Sequence, residues 1–228
     1  MLTAEFHLSL QGSRMEQLDR FLSVETGRCT LFMMADGFSQ CDACPHYVDW
    51  LTERLNRLAA SGMNVSLTCR EISNILQVRD CFPGKASVAF VVADDREYRH
   101  TTLGDTRIYW LNRNDRTRDH SLAERCVELG HCPPDALSRH PLRNRLTAWA
   151  GSGNLHALKW HNRTPLPAEH LLICTDGFWS QVSDDDIKGA ASGSTLSELC
   201  CRLNERTRGC FPDNLTVTLL KPTWGRPG

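Results

Sequence analysis

The segment LFMMADGFSQ, residues 31–40, is a run of apolar residues that ends abruptly in Asp-Gly. The segment LLICTDGFWS, residues 171–180, repeats this pattern. A short apolar run bounded by a turn signal predicts a buried β-strand. Glycine lets the backbone turn tightly and lets another group approach closely. The repeat therefore predicts two rigid strands that each present a carboxylate where the strand ends.

The rest of the chain arranges strand and helix patterns in blocks. Residues 46–80 have the periodicity of two helices, and a third helix is predicted at 195–207. A polar segment at 113–150 is rich in Arg, Asn and His. Blocks of this kind favour antiparallel sheets with helices outside them, an α+β fold in one domain. Strand patterns cover residues 5–11, 20–25, 29–35, 86–95, 97–104, 107–112, 155–161, 170–175 and 215–221.

Composition excludes several functional classes. The 228 residues are 41% hydrophobic, enough for one sizeable core, and the net charge of −1 is not typical of a nucleic-acid binder. The apolar run at 86–93 is far shorter than the ~20 residues of a membrane span. The first residues lack the apolar stretch of a signal peptide. We expect a cytoplasmic protein without nucleic-acid binding or membrane insertion.

Aspartates recur at the margins of the predicted strands. Aspartate and glycine are ordinary turn residues, which explains any one of these positions. If the strand ends converge, however, the carboxylates repel one another unless a cation lies among them. Clustered carboxylate oxygens suit Mg²⁺ or Mn²⁺ better than Zn²⁺. The positions are Asp19, Asp36 with Gly37, Asp105, Asp176 and Asp213.

Five motifs, taken in order, resemble those of a known family. They are GSRMEQLD (12–19), MADGF (34–38), LGDTRIYWL (103–111), CTDGFWSQVSDDDI (174–187) and DNLTV (213–217). This series is similar to that of the metal-dependent protein phosphatases, the type 2C serine/threonine phosphatase family, in its short bacterial single-domain form. The resemblance covers about residues 10–221.

The resemblance implies a fold. Family members have a four-layer αββα sandwich, in which two central antiparallel β-sheets are flanked by helix pairs. The whole chain, 1–228, is then a single catalytic domain. The segments DHSLAERCVELG (119–130) and HPLRNRLTAWAG (140–151) resemble the part that bacterial members place over the active site, so residues 113–150 are identified as a flap.

The resemblance also implies a metal site. Asp36 and the carbonyl of Gly37 would bind two central cations, which are Mn²⁺ or Mg²⁺. Asp176 and Asp213 would complete the ligands of one of them, and Asp19 would lie near the site through water.

Three further residues take roles by the same resemblance. Asp105 would join Asp176 at a third, weaker cation position. Arg14 would hold the substrate phosphate, because a guanidinium binds phosphate with two parallel hydrogen bonds. Asn214 would support Asp213 rather than bind metal.

The implied activity is hydrolysis of phosphoserine and phosphothreonine in proteins. A hydroxide bridging two cations would attack phosphorus without a phosphoenzyme intermediate. The expected partners are a phosphorylated protein substrate and the opposing bacterial Ser/Thr kinase. Regulation of type VI secretion is one possible setting.

Some residues depart from the family pattern. Leu18 lies where relatives usually have Glu or Gln, Phe38 lies where some have His, and GKAS at 84–87 introduces Lys85 in place of Gly-Thr-Thr. These changes leave a rival hypothesis open, a catalytically weak or inactive phosphatase-like module that binds a phosphoprotein or regulatory partner. The retained aspartates favour activity, because a non-catalytic module has no need of so costly a cluster.

Cysteines raise a third hypothesis. CDACPH offers Cys41, Cys44 and His46, which are compatible with a zinc or redox site. No matching second pair of ligands follows, so a four-ligand zinc site is poorly supported. In the flap, Arg139, Arg143 and Arg145 are either solvated or in contact with the phosphoprotein substrate.

Overall fold

The computed structural model describes residues 1–38, 46–78, 84–153, 157–166 and 168–223. The apolar runs pair into two antiparallel sheets. The first sheet has the order β1 (Leu2–Leu10), β11 (Leu215–Pro222), β10 (Leu171–Cys174), β6 (Arg107–Trp110) and β7 (Asp115–Arg116). The second has the order β2 (Asp19–Glu25), β3 (Thr30–Gly37), β4 (Lys85–Ala93), β5 (Tyr98–Leu103) and β9 (His161–Arg163), and β8 (Ala150–Gly151) pairs with β4.

Helices cover the outer face of each sheet. Against the second sheet pack α1 (Tyr47–Asn56) and α2 (Val65–Gln77). Against the first pack α4 (Asp176–Trp179), α5 (Asp184–Gly189) and α6 (Gly193–Thr207). A 3₁₀ turn at Leu111–Arg113 leads into the flap segment, which contains α3 (Leu122–Glu128) and the 3₁₀ turn Pro134–Arg139.

The alternation of side chains along β3 explains the layers. Successive residues of a strand point to opposite faces of the sheet. Leu31 and Met33 therefore pack with α1 and α2, whereas Phe32 and Met34 pack between the two sheets. All four side chains are buried because both faces of the strand are covered. The four-layer αββα sandwich implied by the family resemblance is confirmed.

Strand register gathers the carboxylates at one end of the sandwich. Asp19 is the direct antiparallel partner of Asp36, and Asp36 in turn pairs with Ser87 on β4. In the first sheet, β10 ends at Cys174 opposite Val217 of the antiparallel β11, so Asp176, just after β10, and Asp213, just before β11, lie at the same end of the sheet. The fold thus brings the ends of strands from both sheets together.

Two local details differ from the prediction or add to it. The strand predicted at 155–161 was wrong in extent, because residues 157–160 have no strand structure and β9 begins at His161. Among the described residues, no helix is long and apolar enough to cross a membrane.

Candidate active site

Asp19 is the most enclosed carboxylate at this end of the sandwich. Its side chain comes from β2 and is 3% exposed, because β3 covers one side and the first sheet the other. The hydroxyl of Thr175 donates to Oδ2 of Asp19 at 2.9 Å, so a residue of the first sheet binds a carboxylate of the second. The other oxygen, Oδ1, is buried without a hydrogen-bond partner among the described residues.

Asp36 and Asp176 are close enough that each carboxyl group shifts the pKa of the other. Asp36 ends β3, and Asp176 begins α4 directly after β10. Two carboxylates this close share a proton or need a cation between them. The two Asp-Gly motifs that end the apolar runs therefore meet at one point in the fold.

Asp105 approaches from the turn between β5 and β6. Its backbone amide donates to Oγ of Ser87 at 2.8 Å, and its carbonyl accepts from Nε1 of Trp179 at 2.8 Å. Gly104 has a φ of +95°, and a Cβ there would lie 2.4 Å from the same Ser87 oxygen. Only glycine permits this turn, which is why the buried Asp105 faces the site.

Asp213 is paired with Arg14. The guanidinium donates from Nε and Nη2 to the two carboxylate oxygens, each at 2.7 Å. Both side chains remain partly exposed, so this end of the site opens to solvent. A guanidinium in this position can hold a phosphate with the same two-bond geometry.

Asn214 fixes the loop that carries Arg14. Its amide nitrogen donates to the carbonyls of Gln11 and Glu16, and its oxygen accepts from the amide of Leu18 at 2.8 Å. Its own backbone amide donates to Oδ1 of Asp213 at 2.9 Å. The buried Asn214 thereby holds the loop with its side chain and the neighbouring carboxylate with its backbone amide.

Burial and mutual repulsion raise the pKa values of these carboxyl groups. Burial raises the pKa of Asp19 to about 7, and the charges of Asp176 and Asp213 act in the same direction. Burial also raises the pKa of Asp36 and of Asp105 well above the ordinary value, and nearby aspartates add to both shifts. The pKa of Asp176 is raised by burial, although Arg143 opposes the shift.

This donor set fits hard divalent cations. Oδ1 of Asp19 lacks a partner, and the clustered carboxylates need positive charge to ionise together. Within the described ranges, no three acidic, histidine or cysteine side chains are already gathered as a finished ligand set. Asp213 and Asp176 instead face Arg14 and Arg143, so a cation would compete with two guanidinium groups for these oxygens.

Sequence reasoning missed several residues that support the site. It placed Arg143 in the flap as a residue facing either solvent or substrate, and the structure shows Nη1 donating to Oδ2 of Asp176 at 3.0 Å. It did not identify Thr175, Ser87 as an anchor of Asp105, or the contact of Trp179. Thr175 directly precedes Asp176, which was the one local signal available.

The structure shows the contacts of the three residues that depart from the family pattern. Leu18 is buried, and its carbonyl accepts from the amide of Gly37 at 3.2 Å. The amide of Phe38 donates to the carbonyl of Lys85 at 3.0 Å, and the ammonium of Lys85 lies 5.0 Å from the ring centre of Trp149. None of these contacts displaces an aspartate. Cys41 and Cys44 lie outside the described residues.

The raised pKa of Asp19 predicts how stability depends on pH when divalent cations are removed by EDTA. The unfolded chain loses this proton near pH 4, whereas the folded chain keeps it until about pH 7. The folded state therefore binds more protons across this window, and stability should fall as pH rises from 5 to 8. Mn²⁺ should abolish the decline, because cations stabilise the ionised carboxylates.

Differential scanning fluorimetry between pH 5 and 8 measures this effect. The Asp19→Asn variant, which cannot ionise, should show a shallower decline of Tm in EDTA. A Tm in EDTA that is flat or rises over this range would contradict the prediction.

Comparison with known proteins gives sequence relatives for half of the chain. The serine/threonine protein phosphatase PstP of Mycobacterium tuberculosis is 29% identical over 128 residues, which are 51% of this chain and 23% of that protein. The chain thus spans less than a quarter of that relative's length. No protein-family model matches the chain.

Solved structures match nearly the whole chain. The phosphatase Stp1 of Staphylococcus aureus has a TM-score of 0.78 at 20% identity, with 99% of this chain and 96% of Stp1 covered. The catalytic domain of PstP with two manganese ions has a TM-score of 0.68 at 17% identity, with 96% and 97% covered. PppA of Pseudomonas aeruginosa, a key regulatory component of type VI secretion, has a TM-score of 0.69 at 19% identity, with 95% and 98% covered. These likenesses establish a shared fold.

Proposed function

We propose that the chain is a metal-dependent protein serine/threonine phosphatase of type 2C, because it is similar in sequence to the phosphatase PstP and in fold to the phosphatase Stp1. One observation carries the proposal. Five aspartates from both sheets converge at one end of the sandwich, and Arg14 lies beside them on Asp213. Convergent carboxylates next to a guanidinium suit divalent cations and a phosphate group.

The aspartates of the site would act as the cation ligands. Asp36, the carbonyl of Gly37, Asp176 and Asp213 would hold two Mn²⁺ or Mg²⁺ ions, with Asp19 behind them through water. Asp105 would join Asp176 at a third position. When bound, such cations supply an activated water molecule as nucleophile and neutralise charge on the phosphoryl oxygens.

Arg14 would bind and orient the phosphate group. Its loop is held by Asn214, so the guanidinium would move from Asp213 to the substrate without rebuilding the loop. Two parallel hydrogen bonds fix the phosphate in the orientation needed for in-line attack. Phe38 offers no proton beside the site, so the departing serine or threonine oxygen would take its proton from water.

The substrate would be a protein whose serine or threonine carries a phosphate. Such a group is made by a Ser/Thr kinase, so this phosphatase would oppose one in the same cell. The fold shared with PppA makes regulation of type VI secretion one setting to test.

The inactive-module hypothesis is the second candidate, and Leu18, Phe38 and Lys85 are the residues that favour it. A hydrolysis assay separates the two. Purified protein is incubated with p-nitrophenyl phosphate and with a phosphothreonine peptide, in Mn²⁺, in Mg²⁺ and in EDTA. Turnover that requires a cation would support the phosphatase. No turnover with either cation, from protein shown to be folded by circular dichroism, would favour the binding module.

A further inference from the structure

Arg107 and Asp119 form a buried ion pair next to the site but outside its cation-binding set. Nε and Nη2 of Arg107 donate to the two oxygens of Asp119 at 2.8 and 2.7 Å. Both side chains are at most 3% exposed. Removing two charges from water costs free energy that such a pair often does no more than recover. A purely stabilising role therefore explains its presence poorly.

Arg107 is connected to Asp105 through contacts with Trp179. The guanidinium carbon of Arg107 lies 3.5 Å from the ring centre of Trp179. Trp179 is buried, and its indole nitrogen donates to the carbonyl of Asp105 at 2.8 Å. Arg107 thus packs against Trp179, which binds the carbonyl of Asp105. Ser87 binds the backbone amide of Asp105.

The aspartate side of the pair leads to the flap. Asp119 precedes α3, and the amide of the next residue, His120, donates to the carbonyl of Gly104 at 2.8 Å. Further along the same segment, Arg143 reaches Asp176 at 3.0 Å. The ion pair therefore joins the beginning of the flap to the turn that presents Asp105.

We propose that Arg107 is a positioning residue. Its two-bond pairing with Asp119, together with its contact with Trp179, fixes the position of the flap relative to the turn that carries Asp105. A guanidinium fork fixes orientation as well as distance, whereas a single ammonium contact leaves the partner free to rotate. The inference rests on the proposed function in one respect, since Asp105 is taken as a cation ligand.

The experiment uses a variant that removes the pair without leaving a buried charge. In Arg107→Met/Asp119→Leu, apolar side chains of similar size replace both ions, a change that proteins often tolerate with little loss of stability. Tyr109→Phe is the matched control, because it leaves the Arg107–Asp119 pair in place and removes two other hydrogen bonds, the one from Nη1 of Arg107 to the Tyr109 hydroxyl at 2.8 Å and the one from that hydroxyl to Asp184 at 3.0 Å. Arg107→Lys is measured beside them, so that the test does not depend on one variant folding.

Hydrogen exchange of the cation-free proteins is the first measurement. We expect the amides of Asp105, Thr106 and His120 to exchange at least tenfold faster in the double variant and several-fold faster in Arg107→Lys. Tyr109→Phe should match the wild type. In a Mn²⁺ titration, the affinity for the most weakly bound Mn²⁺ ion should fall about tenfold in the double variant. The affinities for the more tightly bound ions should change less than twofold.

Wild-type exchange at all three amides in the folded variants, with unchanged Mn²⁺ affinities, would overturn the proposal. A pair that contributed only stability would give this result once the fold was retained. A failure of the proposed function would be seen differently. The wild-type protein would show no cation-dependent hydrolysis, whatever the hydrogen-exchange rates of the variants.

Discussion

Replacing Asp36 with asparagine should lower the kcat for p-nitrophenyl phosphate at least about a thousandfold. Asparagine keeps the shape of the side chain but removes the negative charge that would bind both central cations. The fold should survive, because burial and the surrounding like charges raise the pKa of Asp36 and penalise its ionisation. We therefore expect the Tm in EDTA at pH 8 to be equal to or higher than that of the wild type.

Asp49→Asn is the matched control for this variant. Asp49 lies on α1, half exposed, and accepts a 2.8 Å hydrogen bond from Arg20. Asp49→Asn removes the same charge from a carboxylate outside the proposed cation-ligand set, and an exposed ion pair contributes little. We expect its kcat to remain within a factor of two of the wild type. A rate near that of the wild type in Asp36→Asn would refute the assignment of Asp36 as a cation ligand.

Replacing Gly177 with alanine should destabilise the protein by at least about 3 kcal/mol, since the added carbon meets backbone that cannot move aside easily. A Cβ at Gly177 would lie 1.8 Å from the carbonyl oxygen of Asn214. Either α4 or the segment that leads into β11 must shift, and these two parts of the chain carry Asp176 and Asp213. For a chain of this size, the expected fall in Tm is about 10 °C. Thermal unfolding and a Mn²⁺ titration would measure both effects.

Gly189 provides the control for that substitution. It lies at the end of α5, and a Cβ built there meets no atom within 4 Å. Gly189→Ala should therefore leave the Tm unchanged or raise it slightly, because alanine has the higher helix propensity. Equal stability of the two alanine variants would show that the contact between α4 and β11 is not as tight as described.

Local pattern was enough to predict the long strands and the positions of the aspartates at their ends, but not the short strands β7 and β8 or the extent of β9. The apolar runs before Asp36 and Asp176 are buried on both faces, and continuous hydrophobicity is the signature of such strands. The roles of Arg14 and Asn214 came from family resemblance rather than from periodicity. Their contacts join residues about 200 positions apart, for example Arg14 and Asp213, and no local pattern encodes such a distance.

By itself, the sequence determined where the long strands form and that carboxylates lie at their ends, because these properties depend on neighbouring residues. Only the tertiary structure decided which groups meet. Thr175 binds Asp19 across the two sheets, Arg143 turns from the flap to Asp176, and Arg107 supports Asp105 through Trp179. These contacts depend on how two sheets pack and how the flap folds back, which is settled by the packing of the whole core.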